Sequence, residues 1–208
     1  MVRIELRLAA ASDWIRVFDP RDGTLFIARS PAPTVGTAVR VDLVVGQGGP
    51  RVILRGTAIT AREGGYVVAI GPNERVKVNY LNGYVRGGLL DLRERRRLPV
   101  RLPVTYGAVD GAQQTFSRDI NEQGIFIVTE TPLPEDSEVH LLLTIPGREQ
   151  ALSLTGMVQH TVVVEDEDVP GMGILFKIDD ATQATLREVV DDLERRFLAN
   201  DLPEALLE

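Results

Sequence analysis

The sequence contains an internal repeat in which residues about 100 positions apart match in type. Leu25-Phe26-Ile27 is matched by Ile125-Phe126-Ile127, and Leu54-Arg55-Gly56 is matched by Leu154-Thr155-Gly156. A repeat of this length indicates two tandem copies of one small domain, the first of them degenerate. Two unrelated β-rich domains with coincident glycines and prolines are the alternative. The turn residues that recur at an offset of 101 are Gly23, Pro31 and Pro33 in the first half and Gly124, Pro132 and Pro134 in the second.

Both halves carry short runs with the periodicity of β-strands. Residues 2–8 alternate between apolar and charged side chains, which is typical of a strand with one buried face. Turn residues such as Asp22-Gly23 and Gly64-Gly65 separate the runs. Short strands at regular spacing favour a barrel or a sandwich. Further strands are predicted at residues 24–28, 38–45, 51–61, 66–70, 100–106, 125–129, 139–145, 151–164 and 173–178.

Two segments have the periodicity of helices instead. Between the halves, Val76, Tyr80 and Tyr84 predict a short helix, which the pair Gly87-Gly88 breaks to form a hinge. After Asp180 a longer apolar stripe predicts a C-terminal helix that packs on the second half. Because the stripe continues to Leu202, Leu206 and Leu207, a helix that forms a homodimer is the alternative. The stripe comprises Leu186, Val189, Val190, Leu193 and Phe197, and Asp180 and Gln183 are spaced as a capping box.

Composition excludes several classes of protein. The 208 residues include no cysteine, so the chain has neither a disulfide nor a thiolate nucleophile. The net charge of −7 argues against general binding of nucleic acid or of an anionic membrane. No run approaches the ~18 apolar residues that a membrane span needs. The N-terminus lacks the apolar core of a signal peptide, which predicts a cytoplasmic protein.

The remaining polar residues suggest neither catalysis nor metal binding. His140 and His160 lie within predicted strands and have no partner at metal-ligand or triad spacing. The acidic run at residues 165–168 is interpreted as a solvated hairpin loop. Trp14 is assigned to the core. We therefore expect a binding protein rather than an enzyme, without a metal site or a cofactor.

Positive charge is concentrated between the two halves. Five arginines fall within nine positions of this acidic chain. A guanidinium can bind phosphate through two donors and can stack on a base, so the cluster predicts an anion site. A solvated basic linker that forms weak surface ion pairs is the alternative. The five residues are Arg93, Arg95, Arg96, Arg97 and Arg101.

A second polar segment follows after a predicted strand. Asp119 and Asn121 are two residues apart, which in an extended chain directs both side chains to one face. Gly124 would permit a tight turn directly afterwards. Carboxylate and amide groups pair with the donor edge of guanine, as arginine pairs with its acceptor edge.

In this order the two segments resemble the signature of PilZ domains, which is Arg-x-x-x-Arg, a strand, and then [Asp/Asn]-x-Ser-x-x-Gly. The chain departs from this pattern at Asn121, which replaces the serine of the family. Later strands around Gly156 and residues 171–176 extend the resemblance over about residues 93–180. Arg93 and Arg97 match the first motif, and Asp119, Asn121 and Gly124 match the second.

The resemblance implies a small antiparallel β-barrel that binds cyclic di-GMP, with arginines on guanine and phosphate and the second motif on a guanine edge. Arg95 and Arg96 are expected to add to this site. We predict a mainly β protein with a degenerate PilZ-like barrel at residues 1–74, a linker at 75–92 and a PilZ domain with a C-terminal helix at 93–208. Such a protein would bind the dinucleotide at the domain junction, change its domain orientation and regulate an unidentified protein partner. The alternative is a PilZ-type adaptor that binds no nucleotide.

Overall fold

The structure, a computed structural model, describes residues 1–46, 49–89, 97–107, 111–163 and 169–207. The chain forms two compact units, of which unit 1 comprises Met1–Arg96 and Arg195–Asp201, and unit 2 comprises Arg97–Glu194 and Leu202–Glu208. Both units consist mainly of β-strands, which confirms the predicted fold class. Within the described ranges, no helix has the length and apolar character to cross a membrane. The domain boundaries predicted above stay predictions.

Unit 1 contains a six-stranded sheet in the order β1-β4-β5-β6-β3-β2. Strand β1 runs parallel to β4, and the other neighbours are antiparallel. The prediction of an antiparallel barrel in this half is wrong, because β2 has only two residues and β1 and β2 form the two edges of an open sheet. The strands are β1 (Val2–Leu8), β2 (Phe18–Asp19), β3 (Thr24–Ile27), β4 (Ala38–Val45), β5 (Arg51–Arg62) and β6 (Gly65–Ile70).

A short helix, α1 (Asp13–Val17), follows β1 and contributes the largest side chain of the core of unit 1. Trp14 is 1% exposed, and its ring stacks on Phe18 with 4.6 Å between ring centroids. Its indole Nε1 donates a hydrogen bond to Asn82 Oδ1 at 2.8 Å. The assignment of Trp14 to the core is therefore confirmed.

Helix α2 (Arg75–Leu89) follows a single turn of 3-10 helix at Pro72–Glu74. It continues through Gly87 and Gly88, so the predicted break at this pair is wrong. A glycine in a helix costs only about 1 kcal/mol relative to alanine, which a packed helix tolerates. The role of the pair as a hinge stays a prediction.

Unit 2 contains a closed barrel in the order β10-β11-β12-β9-β8-β7, in which β7 pairs with both β8 and β10. All neighbours are antiparallel, which confirms the predicted barrel in this half. Strand β8 was not predicted from the sequence. The strands are β7 (Pro103–Tyr106), β8 (Gln113–Ile120), β9 (Gly124–Val128), β10 (Glu138–Leu143), β11 (Leu152–Val162) and β12 (Gly171–Phe176). The acidic run at 165–168 lies outside the described residues.

Helix α3 (Asp180–Leu198) confirms the predicted C-terminal helix, and a 3-10 turn at Glu204–Leu206 follows it. Its cap is Asp179, whose Oδ1 accepts a hydrogen bond from Thr182 N at 2.8 Å, so the predicted capping box at Asp180 is wrong. In unit 1, the Phe197 ring packs edge-on against Tyr80 with 5.6 Å between centroids. Dimerisation through α3 stays a prediction.

The two sheets correspond strand by strand. Val39 pairs with Gly56 in unit 1, and Val139 pairs with Gly156 in unit 2. A bulge follows two residues after each of these glycines, between Ala58 and Thr60 and again between Val158 and His160. A Cβ added at either glycine would lie less than 3 Å from the neighbouring backbone, which explains why both copies keep glycine there. These shared registers support the interpretation of the chain as an internal repeat.

Candidate functional site

The segment that carries Arg97 lies along strand β8. Leu98 N donates a hydrogen bond to Ile120 O at 2.7 Å, and Ile120 N donates one to Leu98 O at 3.0 Å. This bridge brings Arg97 next to Asp119. Arg97 Nη1 donates to Asp119 Oδ1 at 2.6 Å, so the first motif and the second meet in one ion pair.

A β-bulge in β8 adds a second arginine to this pair. Ser117 pairs with Ile127 and Asp119 pairs with Phe126, which leaves Arg118 as the extra residue of the bulged strand. Neighbouring side chains in a regular strand point to opposite faces, and a bulge relaxes that rule. Arg118 Nε therefore reaches Asp119 Oδ2 at 2.9 Å. The Asp119 carboxylate now holds one guanidinium on each oxygen.

The aromatic ring of Phe126 packs against the guanidinium group of Arg118. The guanidinium carbon of Arg118 lies 3.7 Å from the centroid of the Phe126 ring, which is a close cation–π contact. The ring itself is 1% exposed, because it lies directly on the backbone of β12. A Cβ at Gly171 would be 2.6 Å from this ring. The His160 ring flanks Phe126 with 5.9 Å between centroids.

Asn121 forms the turn between β8 and β9. Its Oδ1 accepts hydrogen bonds from Gln123 N at 3.0 Å and from Gly124 N at 2.9 Å, and its own N–H donates to Gly124 O at 2.9 Å. The residue is 7% exposed. This is an Asx turn, in which the side chain replaces a backbone acceptor. The amide oxygen of Asn121 is thus already used by the loop.

Gly124 is required by close packing. A Cβ at this position would lie 2.3 Å from Ile174 O and 3.4 Å from Arg97 Nη2. Its φ is not positive, so close packing rather than a left-handed backbone conformation accounts for glycine at this position. Its role is to let β12 and the side chain of Arg97 approach the start of β9.

The sequence of this region matches a family model. Residues 91–192 match the model described as the PilZ domain. The chain contains a PilZ domain. Within it, Arg97, Asp119 and Gly124 converge as the motif predicts, and Asn121 occupies the serine position of the motif at the turn.

Other predicted site residues are not part of this cluster in the described part of the chain. Arg93, Arg95 and Arg96 fall outside the described residues. Arg101 lies over the ring of Phe116, with 4.7 Å from its guanidinium carbon to the centroid. Arg118 was not among the site residues predicted from the sequence. The available signal was the adjacent pair Arg118-Asp119 inside what proves to be a strand, where two charged neighbours interrupt the alternation.

The arrangement is suited to binding an anion. The side chains of Arg97 and Arg118 are 36% and 42% exposed, so solvent reaches both. Each bonds Asp119 through one nitrogen, which leaves further N–H donors in a fixed position. Held guanidinium groups bind phosphate and the acceptor edge of guanine with little loss of side-chain entropy. Among the described residues, no group of histidine and acidic side chains could hold a metal ion.

Several solved structures are similar to the chain. The Bacillus subtilis inhibitor of motility MotI/DgrA is 13% identical, with 86% of this chain and 88% of that chain covered and a TM-score of 0.39. The PilZ domain of Escherichia coli YcgR with c-di-GMP is 15% identical, with coverages of 52% and 98% and a TM-score of 0.40. The K. pneumonia MrkH–c-di-GMP complex is 13% identical, with coverages of 82% and 77% and a TM-score of 0.37. The comparison with curated proteins found no match.

Proposed function

We propose that the protein is a receptor for cyclic di-GMP, which binds at the Arg97–Asp119–Arg118 cluster of the PilZ domain. The observation that carries this proposal is the Asp119 carboxylate, which joins an arginine of the first motif to an arginine of the bulge. Arg97 and Arg118 present two accessible guanidinium groups beside the loop between β8 and β9. Their donors are suited to a ligand with two phosphates and two guanines. The expected role is binding rather than catalysis.

The side chains of the cluster have different roles in the proposed binding of cyclic di-GMP. Arg97 and Arg118 bind the phosphate and the acceptor edge of guanine, and Arg93, Arg95 and Arg96 extend the positive charge from the preceding segment. Both oxygens of Asp119 hold arginines, so its main role is to position them. The Oδ1 atom of Asn121 holds the loop, which makes this residue a positioning group as well. Direct contacts of Asp119 and Asn121 with a guanine edge stay predictions.

Binding is proposed to regulate a protein partner. The arginines of the first motif immediately precede the barrel in sequence and immediately follow α2. A ligand that binds several of these arginines at once would alter the path of the chain between the two units. We propose that this changes the orientation of the units, with Gly87-Gly88 as the hinge, and so controls the partner.

The alternative is a PilZ adaptor that binds no nucleotide. The observation in its favour is the Asx turn, because Asn121 has no free amide oxygen to offer a ligand. An adaptor of this kind would keep the barrel and the loop, and its partner would be indifferent to Arg93 and Arg97.

Isothermal titration with cyclic di-GMP separates the two functions. We expect the wild-type protein to bind, and Arg97→Ala to weaken binding at least about tenfold, since one bidentate contact with guanine is worth about 1–3 kcal/mol. Asp119 remains paired with Arg118 in this variant, so the fold should be unchanged. Arg148→Ala, at an exposed arginine between β10 and β11, is the matched control and should bind normally.

The outcomes are distinct. Equal affinities of the wild type and Arg97→Ala would remove the site assignment. Binding that occurs only in Asn121→Ser would show that the replaced serine has closed the site. If neither the wild type nor Asn121→Ser binds, the adaptor function becomes the leading proposal.

A further inference from the structure

Strand β1 of unit 1 has one free edge. Among the strands of the described residues its one neighbour is β4, and β1 ends the strand order of the open sheet. In unit 2 the corresponding first strand, β7, pairs on both sides. Within the described ranges, residues 2–7 form no backbone hydrogen bond outside the β1–β4 ladder. An unpaired strand edge is a template for the addition of another strand.

The register identifies the backbone groups that face this edge. Leu8 pairs with Val45, and Leu8 O accepts a hydrogen bond from Gly46 N at 2.9 Å, so Leu8 directs its backbone toward β4. In a parallel ladder every second residue bonds to the same neighbour. Arg3, Glu5 and Arg7 therefore direct both N–H and C=O away from β4. Three donors and three acceptors are available along this edge.

The outer face beside the edge is rich in arginine. Three rows of side chains cross β1, β4 and β5, and five of these nine residues are arginines, whereas two are acidic. A groove of about 390 Å³ is lined by all of these residues except Arg55. The rows are Arg3, Arg40 and Arg55, then Glu5, Asp42 and Ile53, and then Arg7, Val44 and Arg51.

Asp42 organises the edge of this face. It accepts hydrogen bonds from Arg3 Nε and from Arg40 Nε, the latter at 2.6 Å. The Arg7 Nε atom donates to Glu5 Oε1 at 2.6 Å. The side chains of Arg3 and Arg7 nevertheless remain 72% and 71% exposed. These two arginines are therefore accessible at the free edge, where they lie four residues apart on one face of the strand.

The shared architecture does not require these arginines. The residues of unit 2 at the same places in β10 and β11 are uncharged or histidine: His140 pairs with Thr155, and Leu142 pairs with Ser153. Prevention of aggregation is an alternative explanation for charged residues on an edge strand. That explanation covers β1, but it does not explain Arg40, Arg51 and Arg55, which lie one and two strands inside the edge.

We propose that the free edge of β1 and its arginines form a docking site for an acidic, extended segment of a partner protein. The segment adds to the sheet as a seventh strand, with its backbone paired to Arg3, Glu5 and Arg7. Side chains directly opposite each other in a sheet interact, so acidic residues of the segment face Arg3 and Arg7. These acidic residues are four positions apart, and the residue midway between them, opposite Glu5, is neutral or basic. This site is independent of the nucleotide site.

Selection from a phage-displayed library of random ten-residue peptides tests the proposal. We expect enrichment of peptides with two acidic residues four positions apart. The enriched peptide, synthesised with a fluorophore, is then measured by fluorescence anisotropy. Arg3→Glu/Arg7→Glu should abolish binding, because it places like charges opposite each other. Arg62→Glu/Arg148→Glu, which makes the same change of charge at exposed positions elsewhere, should bind normally. A selection that yields no binder, or only peptides without acidic residues, overturns the proposal.

Glu5→Pro tests the pairing of backbones. Proline removes an N–H that points away from β4, so the β1–β4 ladder should persist and circular dichroism should be unchanged. Loss of this hydrogen bond should weaken peptide binding about tenfold or more, whereas Glu5→Ala, which keeps the N–H, should bind normally. Equal binding by both variants would contradict strand addition.

Two measurements on the wild type complete the test and need no variant to fold. In hydrogen exchange, the amides of Arg3, Glu5 and Arg7 should gain protection when the peptide binds, and unchanged exchange would overturn the proposal. A 20-base-pair DNA duplex should not compete with the peptide. Competition by DNA, together with insensitivity to Glu5→Pro, would show a surface for polyanions instead.

Discussion

The two sheets of this protein share one strand order, yet only the second closes into a barrel. In unit 2, β8 has eight residues and pairs with β7, whereas in unit 1 the corresponding β2 has two residues and does not pair with β1. The direction of the first strand differs as well, parallel to its neighbour in unit 1 and antiparallel in unit 2. The strand order is thus maintained by the other four strands of each sheet. Closure of the barrel depends on the first two strands of each unit in chain order, which are β1 and β2 in unit 1 and β7 and β8 in unit 2.

The same comparison separates the loop of the proposed nucleotide site from its charged residues. Phe18 pairs with Leu25 as Ile120 pairs with Ile125, so Asp19 takes the place of Asn121. Asp19 Oδ1 accepts a hydrogen bond from Arg21 N at 2.9 Å, which repeats the first bond of the Asx turn. The place of Asp119, however, is taken by Val17. Both units therefore share the first bond of the turn, and unit 2 adds the carboxylate that holds the arginines.

The largest effect should come from the glycines at the start of β6 and β12. A Cβ at Gly65 would lie 2.1 Å from Ile27 O, and one at Gly171 would lie 2.2 Å from Ile127 O. If the sheets are equivalent, alanine at either position should lower the free energy of unfolding of its own unit by about 1–3 kcal/mol, as overpacking does. Urea unfolding followed by hydrogen exchange in each sheet measures this.

Gly83→Ala is the control for this pair. Position 83 lies in α2 with open space around it, and alanine in a helix should leave stability unchanged or raise it. A destabilisation confined to one of the two sheets would show that their packing at this position is not equivalent.

The turns should show a smaller and unequal effect. Asn121→Ala leaves the N–H groups of Gln123 and Gly124 without their acceptor, which should cost about 1–2 kcal/mol and weaken binding of cyclic di-GMP. Asp19→Ala removes one exposed hydrogen bond and should cost less than about 1 kcal/mol. Thermal unfolding measures the stabilities. Equal losses of stability in the two variants would mean that the burial of Asn121 does not increase the contribution of its hydrogen bonds.

The smallest effect should depend on pH and concern Asp42, whose place in unit 2 is taken by Leu142. Burial works to raise the pKa of Asp42, but hydrogen bonds from Arg40 and Arg3 outweigh it and leave the pKa below the ordinary 3.8. A lowered pKa stabilises the folded state above the unfolded pKa, and this contribution disappears as the pH falls through the folded value. Asp42→Asn should therefore reduce stability by less than about 1 kcal/mol at pH 7 and by nothing well below pH 4. A difference that persists at pH 2 would exclude this ion pair as the cause.

Most of the fold could be predicted from alternation and turn residues, but two features could not. The pattern of Val2–Leu8 is the same whether the strand runs parallel or antiparallel to its neighbour, so it contains no information on direction. Strand β8 has polar residues at positions that face inward, among them the fully buried Ser117, and this hides its alternation. Its pairing partners, rather than its own pattern, make it a strand.

The candidate site was predictable where motifs determine it. Arg97, Asp119 and Gly124 meet as their order and spacing indicate. Arg118 was missed because the bulge that turns it toward Asp119 is a mismatch between two strands. The adjacent pair Arg118-Asp119 signals this bulge only when the segment is already known to be a strand. The packing role of Gly124 depends in the same way on Ile174, which lies 50 residues further along the chain.

The open edge of unit 1 also affects the protein in concentrated solution. Two copies brought edge to edge would extend one sheet into the other, which is a common first step of aggregation. In an antiparallel pairing centred on Glu5, Arg3 of each copy faces Arg7 of the other, and the two Glu5 carboxylates meet, so like charges keep the copies apart. Salt weakens this repulsion, because the Debye length falls from about 30 Å at 0.01 M to about 8 Å at 0.15 M. The protein should therefore stay dispersed best in dilute buffer and self-associate as ionic strength rises.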